Sequence, residues 1–436
     1  MIIGGYDCAY GMTGSWGHTG LHFAEGIEDA ADFYIWIPSY GRDRDNGDLP
    51  LKPYQFTGSL VLHGKLGILE MDIRNPNIPN LYFGHYKSRN WQETHNYRTF
   101  ATALNRLAAS AIALGGGFHC YNLQPHWFLS DKAQDAWRNA FRIAEQRRGE
   151  GFSEEQIAVF IDENSNLYSN LHPHWVPSFF NFKGQVVAAV QRAGFKHNYY
   201  LLRDALHPDF KAPLMLLFAD AGTMTPEEIV KIRERHGNSG RVIVWHGCPG
   251  FLACGDYETL SKSLGFDVSP LQGNRQQTPL VAANDTDPVM KGISGFFMQE
   301  PNFLPFVFSP SWRIGKDGST ILAKYYGTDI PGMAVKRYQD HTEIFIGQPG
   351  SVSPQLIRNA GAEAKMHPLL ESDDLFIYGG SLMTVCGSLG RGIRKIRIPD
   401  GIREVVPLTP HKVLHNDGKN FEVDISDADV AVFLLK

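Results

Sequence analysis

Four times within its first 150 residues the chain alternates a short apolar run with a connection, three of them with a helical pattern. The apolar runs are "IIGGY" (2–6), "DFYIWI" (32–37), "LGILE" (66–70) and "GFHCYNL" (117–123). The helical patterns are "HTGLHFAEGIEDA" (18–30), "NYRTFATALNRLAASAIALGGG" (96–117) and "SDKAQDAWRNAFRIAEQRRG" (130–149). Between the second and third runs lies "GSLVLHG" (58–64), too short to assign. Strands joined through helices have to run parallel, because a parallel pair needs a long crossover. The last helix carries its own punctuation: Ser130 as N-cap, basic residues in the final turn and Gly149 beyond it.

A second α/β block starts near residue 152. "QIAVFID" (156–162), "PLMLLFAD" (213–220) and "RVIVWHG" (241–247) are almost wholly apolar, as parallel strands covered on both faces are. "TPEEIVKIRERHG" (225–237) predicts a helix with Thr225 as N-cap, Pro226 at N1, Glu228 closing a capping box and Gly237 as the stop. "TILAKYY" (320–326) and "EIFIGQ" (343–348) continue that sheet or add an antiparallel edge. From about residue 370 only short strand patterns remain, separated by Gly, Pro, Asp and Asn, which predicts an all-β module of sandwich type.

The formal charge of −5 on 436 residues gives no reason to expect nucleic acid or an anionic membrane as partner. No apolar run reaches the roughly eighteen residues of a membrane span. The five cysteines, Cys8, Cys120, Cys248, Cys254 and Cys386, form no CxxC pair and no disulfide framework. A reducing, cytoplasmic setting fits them.

In parallel β/α folds, chemistry gathers where strands end. Asp32 opens its strand, which suits a solvated or capping role. Tyr40 and Arg42 follow the second strand, Glu70 and Asp72 end the third, and Asn122 and Gln124 end the fourth, with His126 and Trp127 just beyond. Acids, an amide and an indole on one rim suit a sugar, which offers hydroxyls along its edge and an apolar face. Each has a plainer reading. A carboxylate after a strand is often a solvated loop residue, Trp127 a core residue, and His119 and His126 structural histidines. His63 beside Lys65 reads as a helix C-terminus.

Retaining glycoside hydrolysis needs two carboxyl groups about 5 Å apart, one attacking the anomeric carbon and one moving a proton. Glu70 suits the nucleophile. Asp72, two residues on along one strand, shares its face and flanks a glycosidic bond poorly from both sides. Asp72 and Arg74 therefore read as a supporting pair. In the second block "HGCPG" (246–250) resembles a nucleophile elbow with Cys248 at its tip. The residue after such a nucleophile must donate its N–H to the oxyanion, and Pro249 has none. His172 and His174 in "HPHW" have no partners at metal-ligand spacing. No cofactor or metal is implied.

Taken together, these motifs resemble glycoside hydrolase family 42, the β-galactosidase-like enzymes. "DFYIWIPSY" is similar to barrel strand six of that family, "LGILEMD" to strand seven and "GGGFHCYNLQPHWF" to strand eight. The resemblance implies a fold of three parts: the C-terminal half of a (β/α)8 barrel in 1–150, an amidotransferase-like trimerisation domain in 151–368 and a small β-domain in 369–436. It implies Glu70 as nucleophile, with Asp72, Arg74, Tyr40, Asn122 and Trp127 lining a sugar site. A carbohydrate substrate and a homo-oligomer, a trimer in the family, are the expected partners. The family's acid/base glutamate lies on strand four in an Asn-Glu motif, and no residue here matches it. The expectation is a truncated enzyme of low turnover, and the alternative is a non-catalytic carbohydrate-binding or assembly protein.

Overall fold

The computed structural model describes residues 4–6, 32–36, 56–71, 73, 97–120, 130–146, 155–162, 164, 179–271, 278–296, 311–388, 390–426 and 428–436. The first sheet holds β1 (Gly4–Tyr6), β2 (Phe33–Trp36), β3 (Leu66–Met71) and β4 (Gly117–Cys120) in chain order, and every pair is parallel. Between β2 and β3 lies α1 (Thr57–Leu62), between β3 and β4 lies α2 (Tyr97–Ala113), and α3 (Asp131–Ala144) follows β4. In α3 the Ser130 hydroxyl accepts the Ala133 N–H at 3.2 Å, and Ala133, Ala136, Trp137, Ala140 and Ile143 recur on one buried stripe. The stripe from Ala133 to Ala140 and α2 pack on Leu69, Met71 and Ile73. The expected helix over 18–30 lies outside the described residues.

The ambiguous "GSLVLHG" is α1, a single short helix fixed by tertiary contacts. Its Ser59 hydroxyl accepts the Leu201 N–H at 2.7 Å, and Thr57 Oγ1 donates to Asn198 Oδ1 at 2.6 Å. Gly58 lies flat on the Tyr200 ring, where a Cβ would fall 2.4 Å from a ring carbon. His63 caps α1 and donates from Nε2 to Asp204 Oδ1 at 2.9 Å. Through these bonds α1 covers the outer edge of the second sheet, whose last strand is β6 (His197–Leu201).

That second sheet has eight strands. Its parallel part comprises β5 (Ile157–Ile161), β6, β7 (Met215–Phe218), β8 (Arg241–His246) and β14 (His341–Ile346). Antiparallel strands β13 (Pro331–Arg337), β12 (Thr320–Tyr325) and β10 (Leu280–Ala282) extend it, and β9 (Val268–Pro270) pairs with β11 (Trp312–Ile314) beside it. Odd-numbered residues of β5 join one core with α4 (Phe179–Gln191) and α7 (Pro354–Glu363). Even-numbered ones join another with α5 (Pro226–His236) and α6 (Tyr257–Leu264). Cover on both faces explains why these strands read as unbroken apolar runs. The expected capping box of α5 is present, with Thr225 and Glu228 bonded reciprocally.

At the C-terminus β15 (Leu375–Gly379), β16 (Leu382–Cys386), β18 (Val405–Pro407) and β21 (Val430–Leu435) form one sheet. A second holds β17 (Gly392–Arg397), β19 (Val413–Asn416) and β20 (Asn420–Ile425). The two face each other across Phe376, Met383, Val385, Ile396, Phe421, Val423 and Phe433. On the outer side of the first sheet, Leu375, Ile377, Val430 and Val432 meet Ala109, Ile112 and Ala113 of α2. Helix α2 is thus buried between the first sheet and this module, its polar Thr102, Asn105, Arg106 and Ser110 included.

Candidate functional site

Register fixes the geometry at the ends of β3 and β4. Leu69 aligns with Phe118, Glu70 with His119 and Met71 with Cys120. Leu69 and Met71 belong to the core under α2 and α3, and Phe118 and Cys120 pack against it. Side chains alternate along a strand, so Glu70 and His119 stand together on the opposite face, away from the helices. Glu70 is 1% exposed. Its Oε2 lies 3.5 Å from Nε2 of His119, whose side chain is 36% exposed. The other ring nitrogen, Nδ1, donates to the Cys120 carbonyl at 3.3 Å. Burial pushes the Cys120 thiol up to about 12, so it stays protonated on the helix side.

Of the sequence-derived site residues, Glu70 is where the reading put it, at the C-terminal end of a parallel strand. Tyr40, Arg42, Asp72, Arg74, Asn122, Gln124, His126 and Trp127 lie outside the described residues. So do Cys8, His172 and His174. The sequence reading gave His119 a structural role, yet it is the side chain that faces Glu70. Pairing "LGILE" with "GFHC" in parallel register would have shown it, since both residues then fall at one level.

The strand ends of the second sheet are closed by hydrogen bonds. Asp162, after β5, accepts from Thr223 N at 2.7 Å, from Thr223 Oγ1 at 2.8 Å and from Asn164 N at 3.0 Å. His246 donates from Nδ1 to the Ala219 carbonyl and accepts the Gly350 N–H at Nε2, at 2.9 and 2.8 Å. Its burial lowers its pKa to about 4, so the ring is neutral and both nitrogens are engaged. Cys248 is buried, and that burial raises its thiol well above the ordinary value. A buried, protonated thiol is a poor nucleophile. Among the described residues no group of three or more His, Cys, Asp or Glu side chains could hold a metal ion. Among them, too, no helix is long and apolar enough to cross a membrane.

The arrangement at Glu70 offers one kind of chemistry: a sequestered carboxylate beside an imidazole, on a sheet face free of the packing helices. Comparison with solved structures bears on what uses it. The fold is similar to that of a glycoside hydrolase family 42 β-galactosidase from G. stearothermophilus, with a TM-score of 0.60 over 95% of this chain and 61% of that one, at 12% identity. The β-galactosidase from Bacillus circulans sp. alkalophilus matches with a TM-score of 0.54 over 93% of this chain and 63% of its own, at 12% identity. An α-L-fucosidase from Paenibacillus thiaminolyticus matches with a TM-score of 0.55 over 97% of this chain and 67% of its own, at 12% identity.

The chain has the fold of the family 42 β-galactosidases. It spans about three fifths of the length of the solved enzymes it matches. No protein-family model and no curated protein sequence matches it.

Proposed function

We propose that this chain is the nucleophile-bearing part of a β-galactosidase-like retaining glycoside hydrolase, with Glu70 as the nucleophile. The observation that carries the reading is the position of Glu70: a buried carboxylate at the C-terminal end of a parallel strand, on the face opposite the helices. Parallel strands in chain order with helices on one face are how a (β/α)8 barrel is built, whereas a doubly wound sheet reverses its order. The first sheet is then the C-terminal half of such a barrel. The second block, without an available nucleophile at Cys248, serves as an amidotransferase-like assembly domain, and the β-module closes the chain. Tyr40, Asp72, Arg74, Asn122 and Trp127 follow strand ends in sequence and line the sugar site in this reading.

In the mechanism, a Glu70 oxygen attacks the anomeric carbon of a β-galactoside as the bond to the aglycone oxygen breaks. Water then releases the sugar from the glycosyl ester. The proton that the leaving oxygen needs comes from a carboxyl group outside the matched motifs. General acid help is worth about 10²–10⁴ in rate. The test compares the full chain on two substrates. A dinitrophenyl β-galactoside, whose leaving group needs no proton, should turn over in a Glu70-dependent way, and a nitrophenyl β-galactoside should hardly react. Brisk turnover of both would contradict the external proton donor, and turnover of either that survives Glu70→Gln would contradict the nucleophile.

A further inference from the structure

Side chains take the place of a neighbouring strand along the outer edge of β6. Among the described residues β6 pairs with β5 alone, and in a parallel pair alternate residues turn their N–H groups away from the partner. The Leu201 N–H donates to Ser59 Oγ of α1 at 2.7 Å. Two residues back, the Tyr199 N–H donates to Asn198 Oδ1 at 2.9 Å. Thr57 Oγ1 donates to that same amide oxygen at 2.6 Å, so α1 holds the second acceptor in place too. His63 pins the far end of the helix to Asp204. All five residues of β6 are buried, and so are Thr57, Gly58, Ser59 and Leu60.

We propose that α1 is an autoinhibitory seal on this edge, and that the occupant it excludes is the β6 edge of a second copy of the chain. Proteins guard exposed strand edges with lysine, other charges or proline. The strand "HNYYL" (197–201) carries none of these, so its protection comes from α1 alone. A twofold axis presents the same edge of two copies to each other, running antiparallel, and both rows of backbone groups are then met at once. Tyr199 and Leu201 belong to one core and Tyr200 to the other, so two such edges would join like faces to like. The inference is independent of the role given to Glu70.

The seal has a point where it can be opened. Gly58 lies on the Tyr200 ring, and a side chain there has to displace either the ring or the helix. The ring is held: Phe160 and Phe210 flank it at 5.7 and 5.1 Å between centroids, and its hydroxyl donates to Glu155. The helix is a single short element, too short to be stable alone. A larger residue at 58 therefore lifts α1 and leaves the sheet in place.

The experiment measures mass by light scattering and hydrogen exchange of the 197–201 amides, on the full chain. It compares wild type, Gly58→Val and the double variant Thr57→Val with Ser59→Ala. The first variant opens the seal by bulk, and the second removes its bonds without adding bulk. Each should run at about twice the wild-type mass, with the Tyr199 and Leu201 amides protected, and dilution should reverse both changes together. If Gly58→Val does not fold, the double variant decides. Wild-type mass in the folded variants would overturn the inference, because the opened edge would then take up only water. A larger mass with rapid exchange at Tyr199 and Leu201 would overturn it as well, since assembly would then run through another surface.

Discussion

Gly379, at the end of β15, lies so close to Ala113, at the end of α2, that a Cβ on the glycine would fall 1.8 Å from the Ala113 carbonyl oxygen. The obstacle is backbone, so no side chain can swing aside. This contact seats the helix behind the first sheet against the C-terminal module, where Ala109, Ile112 and Ala113 meet Leu375, Ile377 and Val432.

Gly379→Ala should therefore destabilise the protein by about 3 kcal/mol, at the upper end of ordinary overpacking. Gly184→Ala is the control: it lies within α4 with nothing within 4 Å of the new Cβ. It should leave stability unchanged or raise it by up to about 1 kcal/mol. Urea midpoints for the two variants check this. Equal midpoints would mean that α2 and the C-terminal module do not meet as described.

His341 makes stability depend on pH. Its Nε2 and Nδ1 lie 3.0 Å from Glu343 Oε1 and 3.1 Å from Asp340 Oδ1, so both nitrogens donate and the ring is an imidazolium. Burial lowers its pKa, but the hydrogen bonds and charges of Glu343 and Asp340 outweigh that, and the net direction is up. A group raised above its unfolded value of about 6.5 stabilises fully below that pH and loses the contribution as pH rises through the folded value. The urea midpoint of wild type should thus fall, relative to His341→Gln, on going from pH 6 to pH 9. A constant difference between the two proteins would count against the pairing.

Cysteine reactivity should be ordered by burial. Cys254 is partly exposed, whereas Cys248 and Cys386 are buried. Of the described cysteines, a maleimide should label Cys254 first, ahead of Cys120 with its raised thiol, and leave Cys248 and Cys386 until unfolding. Rapid, selective modification of Cys248 would revive a thiol nucleophile at "HGCPG".

How much of this was legible in the sequence differs by element. Ser130 and the Thr225–Glu228 box announced α3 and α5, because capping is local chemistry read within four residues. The buried strands β5, β7 and β8 were legible from composition. Helix α1 was not, since Gly58, Ser59 and Thr57 owe their conformation to Tyr200, Leu201 and Asn198, about 140 residues away. The double burial of β15, β16 and β21 was hidden for the same reason: the second cover is α2, from a distant part of the chain. Glu70 was visible as an acid closing an apolar run. His119 was not, because its meaning lies in register with a neighbouring strand.

The most direct test of the account is the mass of the peptide containing Glu70 after the full chain has reacted with 2,4-dinitrophenyl 2-deoxy-2-fluoro-β-galactoside. The fluoro sugar slows release of the ester, so the covalent intermediate should accumulate. The account predicts one fluoroglycosyl group, attached to the Glu70 carboxylate and absent from Glu70→Gln. An adduct on another residue, or none at all, would contradict it.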